Sequence, residues 1–393
     1  MPHTPASRSP NTAESQIILL PAELHDAILQ HLSKADIQTY RLICRNFAEN
    51  SAQWLFRKFH FTSSLPDLKR LSGISKSDIR LCVKTLVWST DRSDFEAEHV
   101  LEGLRVRELK NILGRSSQDQ LQRPQAANRE HAVGEGNVRA NNSIGVFFLQ
   151  AIFSGLPNVQ KLHIRTSQGR YEMHASLVAA HLAGHPLSKL RVQYLLWKSV
   201  PAMVSLEHAI ESLTSLRLQI CLPGDVMARV SERPGSIPAV VNLSSLRECL
   251  GSAINLRTLE IRLADSNWWT GEDFGSSHLR LQDIIPEPNS YPYLRKFVVG
   301  QCDTSEDFLE SFLRAHCENL RVLKIQSMRM HPRGSWSRLF QNVQPFLRLI
   351  TVELSGYIEN DVRHDTSGWA LDEQLEWELK DYLLGKQTEC PLR

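Results

Sequence analysis

The segment LSKLRV, residues 187–192, has a spacing of apolar residues that recurs along most of the chain. Leu187, Leu190 and Val192 are apolar, and the polar Arg191 separates the last two, as in a strand that buries one face. A second copy, LTSLRL, occupies residues 213–218. The other copies are Val83-Leu86-Trp88, Val159-Leu162-Ile164, Leu256-Leu259-Ile261, Leu294-Phe297-Val299, Leu320-Leu323-Ile325 and Leu347-Ile350-Val352. This recurrence predicts a series of strands of one type.

Segments with a helical pattern lie between several of these copies. They include SLEHAIESL (205–213), TSEDFLESFLRAHC (304–317) and SWSRLFQNV (335–343). Thr304 and Asp307 have the spacing of a capping box for the second of them. Strands that alternate with helices predict an α/β fold with parallel strands. A stacked solenoid is favoured over an ordinary open sheet because one spacing recurs in every strand, and a helix over about 370–384 would cap its last repeat.

Composition argues against several classes of function. Hydrophobic residues make up 42% and charged residues 22%, and the net charge of +2 gives no strong field for nucleic acid or acidic membranes. The seven cysteines are scattered and lack a C-x-x-C pair, which indicates a reducing compartment without disulfides or zinc. No apolar run reaches the ~18 residues of a membrane span. We therefore expect a cytoplasmic or nuclear protein.

No pattern in the chain predicts catalysis. The P-loop and the Gly-x-Ser-x-Gly motif are both absent, and the pair Gly134-x-Gly136 lies in a polar stretch without a third glycine. We expect no catalytic residues, no metal and no cofactor, so the chain itself should not be an enzyme.

Two further segments are polar. Residues 1–16 contain three prolines and predict a disordered tail. A helix is predicted from about Asp94 to Leu113, with Ser93 and Glu96 as its cap. Residues 114–142 hold almost no large apolar residue, so they predict a disordered insertion.

The N-terminal stretch LLPAELHDAILQHLSKADIQTYRLICRNF, residues 19–47, is unusually apolar for a short segment. A helix from about Pro21 to Leu32 would carry an apolar arc of ~200°, about twice what one buried face needs. Ser33 and Asp36 then predict a capping box for a second helix. Periodicity leaves two explanations open: the helices pack on the rest of the chain, or another protein covers the second face.

The spacing of this stretch resembles the F-box, over residues 17–60. The matching positions run from Leu20-Pro21 through Glu23-Leu24, Ile28-Leu29, Leu32-Ser33, Asp36-Ile37 and Arg41-Leu42-Ile43-Cys44-Arg45 to Phe47. Tyr40 stands where that family usually has a smaller aliphatic residue. The resemblance implies three helices that insert into a Skp-family adaptor and, through it, join a cullin-based ubiquitin ligase. The implied adaptor-binding residues are Leu20, Pro21, Leu24, Ile28, Leu32 and Ile37.

The repeats resemble the irregular leucine-rich repeats that often follow an F-box in fungal proteins. Four of the six intervals from the copy at 159 onward are 26–28 residues long, although the Asn that usually closes each strand is absent. This organisation gives five segments: a tail (1–16), the F-box (17–60), a linker with a first repeat-like strand and helix (61–113), the insertion (114–142), and the solenoid with its helical cap (143–393). The implied function is substrate recognition for the ligase, and the alternative is a non-degradative scaffold bound to the same adaptor.

Residues between the leucines of such strands project to the concave face. In the early repeats these positions are mostly basic, and the predicted target-binding residues are Lys161, His163, Arg165, Lys189, Arg191 and Arg217. They would match an acidic or phosphorylated peptide of an unknown protein target. A solvated charged face without a ligand is the other interpretation.

Overall fold

The computed structural model describes residues 20–62, 64–89, 138–165, 170–196, 207–221, 244–264, 280–286, 290–330, 334–360 and 368–392. The predicted tail, the helix predicted over 94–113 and residues 114–137 of the predicted insertion lie outside these ranges. The remaining residues of that insertion, 138–142, form the start of the helix Val138–Gly155.

Three short helices open the described chain: α1 (Ala22–Leu29), α2 (Lys34–Tyr40) and α3 (Arg45–Leu55). Pro21 immediately precedes α1, where its missing N–H costs no hydrogen bond. The capping box predicted for α2 is present. The backbone N–H of Asp36 donates to Ser33 Oγ at 3.2 Å, and the backbone N–H of Ser33 donates to the Asp36 carboxylate at 3.3 Å.

A single ten-stranded sheet follows, in which every strand lies beside its neighbours in sequence. Strands β1 to β9 are parallel, and β10 is antiparallel to β9. The strands are β1 (Lys58–Phe61), β2 (Thr85–Ser89), β3 (Lys161–Arg165), β4 (Lys189–Leu196), β5 (Ser215–Cys221), β6 (Thr258–Ala264), β7 (Lys296–Thr304), β8 (Val322–Met330), β9 (Thr351–Glu359) and β10 (Gly368–Leu371). The predicted α/β class is confirmed, and the sequential strand order is that of a solenoid-like α/β fold.

Helices connect the strands and pack on one side of the sheet. After α3 they are α4 (Leu65–Ser75), the 3-10 helix Asp78–Cys82, α5 (Val138–Gly155), α6 (Arg170–Leu182), α7 (Glu207–Glu211), α8 (Ser244–Gly251), α9 (Leu281–Ile284), α10 (Glu306–His316), α11 (Trp336–Val343) and α12 (Glu373–Leu383). The repeated apolar positions form the main core against them. Leu162, Leu190, Leu216, Leu259, Phe297 and Leu323 are paired from strand to strand and buried.

The register of the last repeat differs from the prediction. Val352 pairs with Leu323 and Leu354 pairs with Ile325, so the copy of the pattern is Leu349-Val352-Leu354. Ile350, which the sequence placed inside, is 73% exposed. Both alignments fit the spacing, and only pairing with β8 distinguishes them.

Both ends of the sheet also differ from the prediction. Strand β1 was not predicted, because residues 58–60 were placed in the F-box segment and Phe61 in the linker. Phe56-Phe59-Phe61 nevertheless has the repeat spacing, and Phe59 pairs with Leu86. At the other end, residues 368–371 form β10 rather than the start of the last helix. Asp372 ends this strand and caps α12, because its Oδ1 accepts from the backbone N–H of Leu375 at 2.8 Å.

The cap of α10 lies one residue later than predicted. Ser305 Oγ accepts from the backbone N–H of Phe308 at 3.3 Å, whereas the sequence placed Thr304 at this position. Thr304 is the last residue of β7 and is buried. Strand β7 therefore includes Thr304, the residue that the sequence motif had predicted as the helix cap.

Candidate functional site

The three N-terminal helices, hereafter the helical module, have a small core of their own. Leu29, Ile37 and Leu55 are buried together, with Leu32, Tyr40, Trp54 and Phe56 packed around them, apart from the main core. Of the predicted adaptor-binding residues, Ile37 is therefore buried inside the module, and Leu32 is partly buried against the same core. The side chain of Ile37 supports the shape of the module rather than forming its outer surface.

Polar contacts hold α1 against α3. The Asp26 carboxylate on α1 accepts from Trp54 Nε1 at 2.9 Å and from Gln53 Nε2 at 2.7 Å. A carboxylate that accepts two such bonds fixes the position of one helix on the other. The surface presented by α1 is thus held by its own packing.

Tyr40 completes the module with an aromatic cluster. Its ring stacks on Phe47 with centroids 4.3 Å apart, and its hydroxyl bonds Nδ1 of the fully buried His25. His25 also meets Phe47 edge to face, at 4.9 Å. The larger ring at position 40 therefore fills the space between α1, α2 and α3.

Four large apolar side chains of the module remain exposed. Leu24 is 49% exposed, Ile28 38%, Leu42 85% and Ile43 60%. Pro21 is also exposed, and Leu20 is half-buried. Leu42 and Ile43 are among the positions that resemble the F-box, but neither was among the predicted adaptor-binding residues. Both residues follow the end of α2 at Tyr40, and they lie in the turn that leads to α3.

A second candidate surface is the outer face of the sheet, opposite the helices. In β3, Leu162 and Ile164 point into the core while Lys161, His163 and Arg165 lie on the outer side. The register places Lys161 beside Lys189 and His163 beside Arg191, which is followed by Arg217. The structure thus places the six predicted target-binding residues on three adjacent strands.

Their electrostatic states differ. Arg217 Nε lies 3.4 Å from a Glu260 carboxylate oxygen, and Arg262 Nε lies 3.1 Å from the other oxygen, so Glu260 pairs with both arginines. His163 Nε2 lies 3.1 Å from Gln193 Oε1, which also accepts from Arg165 Nε at 2.8 Å. Desolvation by burial, with Arg191 and Arg165 nearby, lowers the pKa of His163 to about 4. His163 is therefore uncharged at neutral pH.

The pattern of the repeats did not indicate two further basic side chains at the start of the sheet. Lys58 and His60 lie on the outer side of β1, in the rows that contain Lys161 and His163. Desolvation and then the charges of Lys189, Arg57 and Lys84 lower the pKa of Lys161. Desolvation and then Lys58, Arg165 and Lys34 lower the pKa of His60. The module, through Lys34, and the first four strands therefore share one region of positive charge.

Within the described ranges, no group of three or more His, Cys, Asp or Glu side chains could hold a metal ion. None of the helices that the structure describes combines the length and apolarity needed to cross a bilayer. No protein-family model and no curated protein matches the chain.

Proposed function

We propose that the chain is the substrate-recognition subunit of a Skp-cullin-F-box ubiquitin ligase, acting in the cytoplasm or nucleus. In this proposal the helical module is the F-box and binds a Skp-family adaptor. The sheet and its helices are irregular leucine-rich repeats that hold the target. The observation that carries the proposal is the exposure of Leu24, Ile28, Leu42 and Ile43 on a module of about 40 residues.

Energetics support a partner for this surface. A segment of about 40 residues buries little apolar surface and is marginal by itself. Here the module nevertheless leaves four large apolar side chains 38–85% exposed. Full burial of such a side chain from water contributes about 1.5–3 kcal/mol, and these side chains would gain the share that corresponds to their exposed fraction. Leu24 and Ile28 lie one turn apart on α1, and exposed large apolar side chains that neighbour one another are typical of a protein-binding site. The contacts of Asp26 and Tyr40 preserve the surface in the absence of a partner.

The chain would position the target within the ligase, and the transfer of ubiquitin would be catalysed elsewhere in the assembly. Binding the adaptor at one end and a target on the sheet raises the effective concentration of the target near activated ubiquitin.

The decisive experiment replaces Leu24 and Ile28 together by Asp. Both side chains are exposed, so the module should stay folded, while two carboxylates buried against the adaptor would each cost several kcal/mol. We expect loss of the adaptor and of the cullin from material affinity-purified from cells. The matched control is Leu182→Asp with Ile350→Asp, two apolar residues that are 51% and 73% exposed elsewhere in the chain.

Two results would contradict the proposal. Wild-type recovery of the adaptor with the Leu24→Asp, Ile28→Asp variant would show that the module is not an F-box. If the unmutated chain recovered the adaptor without any cullin, the non-degradative scaffold would be supported instead of the substrate-recognition subunit.

A further inference from the structure

Acidic residues are absent from the first half of the sheet. Strands β1 to β5 read KFHF, TLVWS, KLHIR, KLRVQYLL and SLRLQIC, and none contains Asp or Glu. The first acidic residue of the sheet is Glu260 on β6. The chain as a whole is nearly neutral, so this separation of charge is local.

From β5 onward, several basic side chains of the sheet pair with carboxylates on the same strand or on a neighbouring one. Glu260 pairs with Arg217 and Arg262, Lys324 pairs with Glu353, and Arg329 lies 2.6 Å from Asp303. The first half contains five cations for which the described residues supply no carboxylate within ion-pair distance. These residues, hereafter the basic face, are Lys58, Lys161, Arg165, Lys189 and Arg191.

Repulsion between like charges affects Lys161, one member of the basic face. Lys161 stands directly beside Lys189 in the register, and both the desolvation and the neighbouring cations lower its pKa. Like charges at adjacent positions of a sheet are destabilising. A bound anion would relieve this repulsion.

The spacing of the basic face fits an extended chain. Adjacent strands lie ~4.8 Å apart, and alternate residues of one strand lie ~6.6–6.8 Å apart. An extended peptide presents its alternate side chains at the same ~6.6–6.8 Å, so acidic residues at every second position would match Lys189 and Arg191. Lys161 and Arg165 are four positions apart on β3 and would match every second acidic residue of such a peptide. A single phosphate instead requires donors that converge on one point. The side chain of Arg165 is already directed to Gln193.

We infer that the basic face is a docking surface for an extended acidic peptide of a partner protein, with carboxylates at alternating positions. The surface begins at β1, directly after the last helix of the module, so the peptide would be held at the adaptor end of the sheet. That this partner is the ubiquitination target rests on the proposed function, whereas the binding itself does not. Nucleic acid fits less well because, apart from His60 and His163, no described side chain of this face is aromatic.

The test measures fluorescence anisotropy of a labelled peptide with Glu at every second position, titrated with the purified full-length chain. We expect saturable binding that weakens when NaCl is raised from about 0.05 M to about 0.3 M. A peptide with Gln in place of Glu should not bind. Lys189→Glu with Arg191→Glu should weaken binding about 10-fold or more, because both side chains are exposed and reversal turns attraction into repulsion.

The matched control is Arg295→Glu with Lys296→Glu, which makes the same change of charge at the start of β7. It should leave the affinity within about 2-fold of the unmutated chain. Equal weakening by both pairs of substitutions would overturn the inference, and so would binding of the Gln peptide. Tighter binding of a peptide with a single phosphoserine, or of single-stranded RNA, would also overturn it. None of these outcomes depends on the adaptor, so they leave the proposed function to its own test.

Discussion

The charge state of a side chain depends on its neighbours. By residue type His163 and Arg217 belong with the basic positions of the early repeats, but burial holds His163 uncharged and Glu260 pairs with Arg217. Lys189 and Arg191 are exposed, and the described residues place no carboxylate within ion-pair distance of either. The candidate target surface therefore shifts toward β1, to strands whose sequences contain no acid.

The depressed pKa of His163 predicts a dependence of stability on pH. The pKa of the folded protein, about 4, lies below the ordinary value of 6.5, so folding favours the neutral ring. This contribution to stability is complete above about pH 6.5 and is lost as pH falls toward 4. We expect His163→Gln to lose less free energy of unfolding than the unmutated chain between pH 6.5 and 5, measured by urea denaturation. Equal losses in the two proteins would contradict the assignment.

Each strand of the sheet is defined by which apolar residues pair with the strand before it. In β9 these residues are Val352 and Leu354, whereas Ile350 lies outside the core. Sequence spacing alone favoured Ile350 because it also lies two residues before an apolar residue. A shift of two residues keeps the same face of a strand inward, so the hydrophobic pattern does not exclude it.

This register is tested by one truncation in β9 and one at the residue just before it. Leu354→Ala removes fully buried methyl groups and should lower the free energy of unfolding by about 2–5 kcal/mol. Ile350→Ala removes an exposed side chain and should change it by no more than about 0.5 kcal/mol. Chemical denaturation of both variants measures the difference. A larger loss for Ile350→Ala would support the alignment predicted from the sequence.

The whole molecule contains two cores of very different size. The core of the helical module consists of three buried apolar residues, Leu29, Ile37 and Leu55. The main core extends over the sheet and the helices that cover it. The module touches the rest of the chain through α3 and the 3-10 helix Asp78–Cys82. A small core with few external contacts should open before the larger one.

We therefore predict local unfolding of the module in the variant Leu29→Ala. The substitution removes about 2–5 kcal/mol of packing, which is comparable to all that a module of this size gains by folding. Hydrogen exchange should show loss of protection over α1 to α3 and unchanged protection over β5 to β8. Uniform loss over both regions would mean that the module and the sheet unfold as one unit.

The sequence by itself determined most of the parallel strands and the capping box of α2, because apolar spacing and end-capping are local properties of the chain. It also indicated an excess of apolar surface at the N-terminus, since the arc of α1 is wider than one buried face. The tertiary structure alone decided that Ile37 lies within the module and that Leu42 and Ile43 lie on its surface. It likewise decided that β1 pairs with β2, that β10 pairs with β9, and that Arg217 forms an ion pair with Glu260. Those outcomes depend on contacts between residues distant in sequence, and no local pattern specifies which distant residue a side chain will meet.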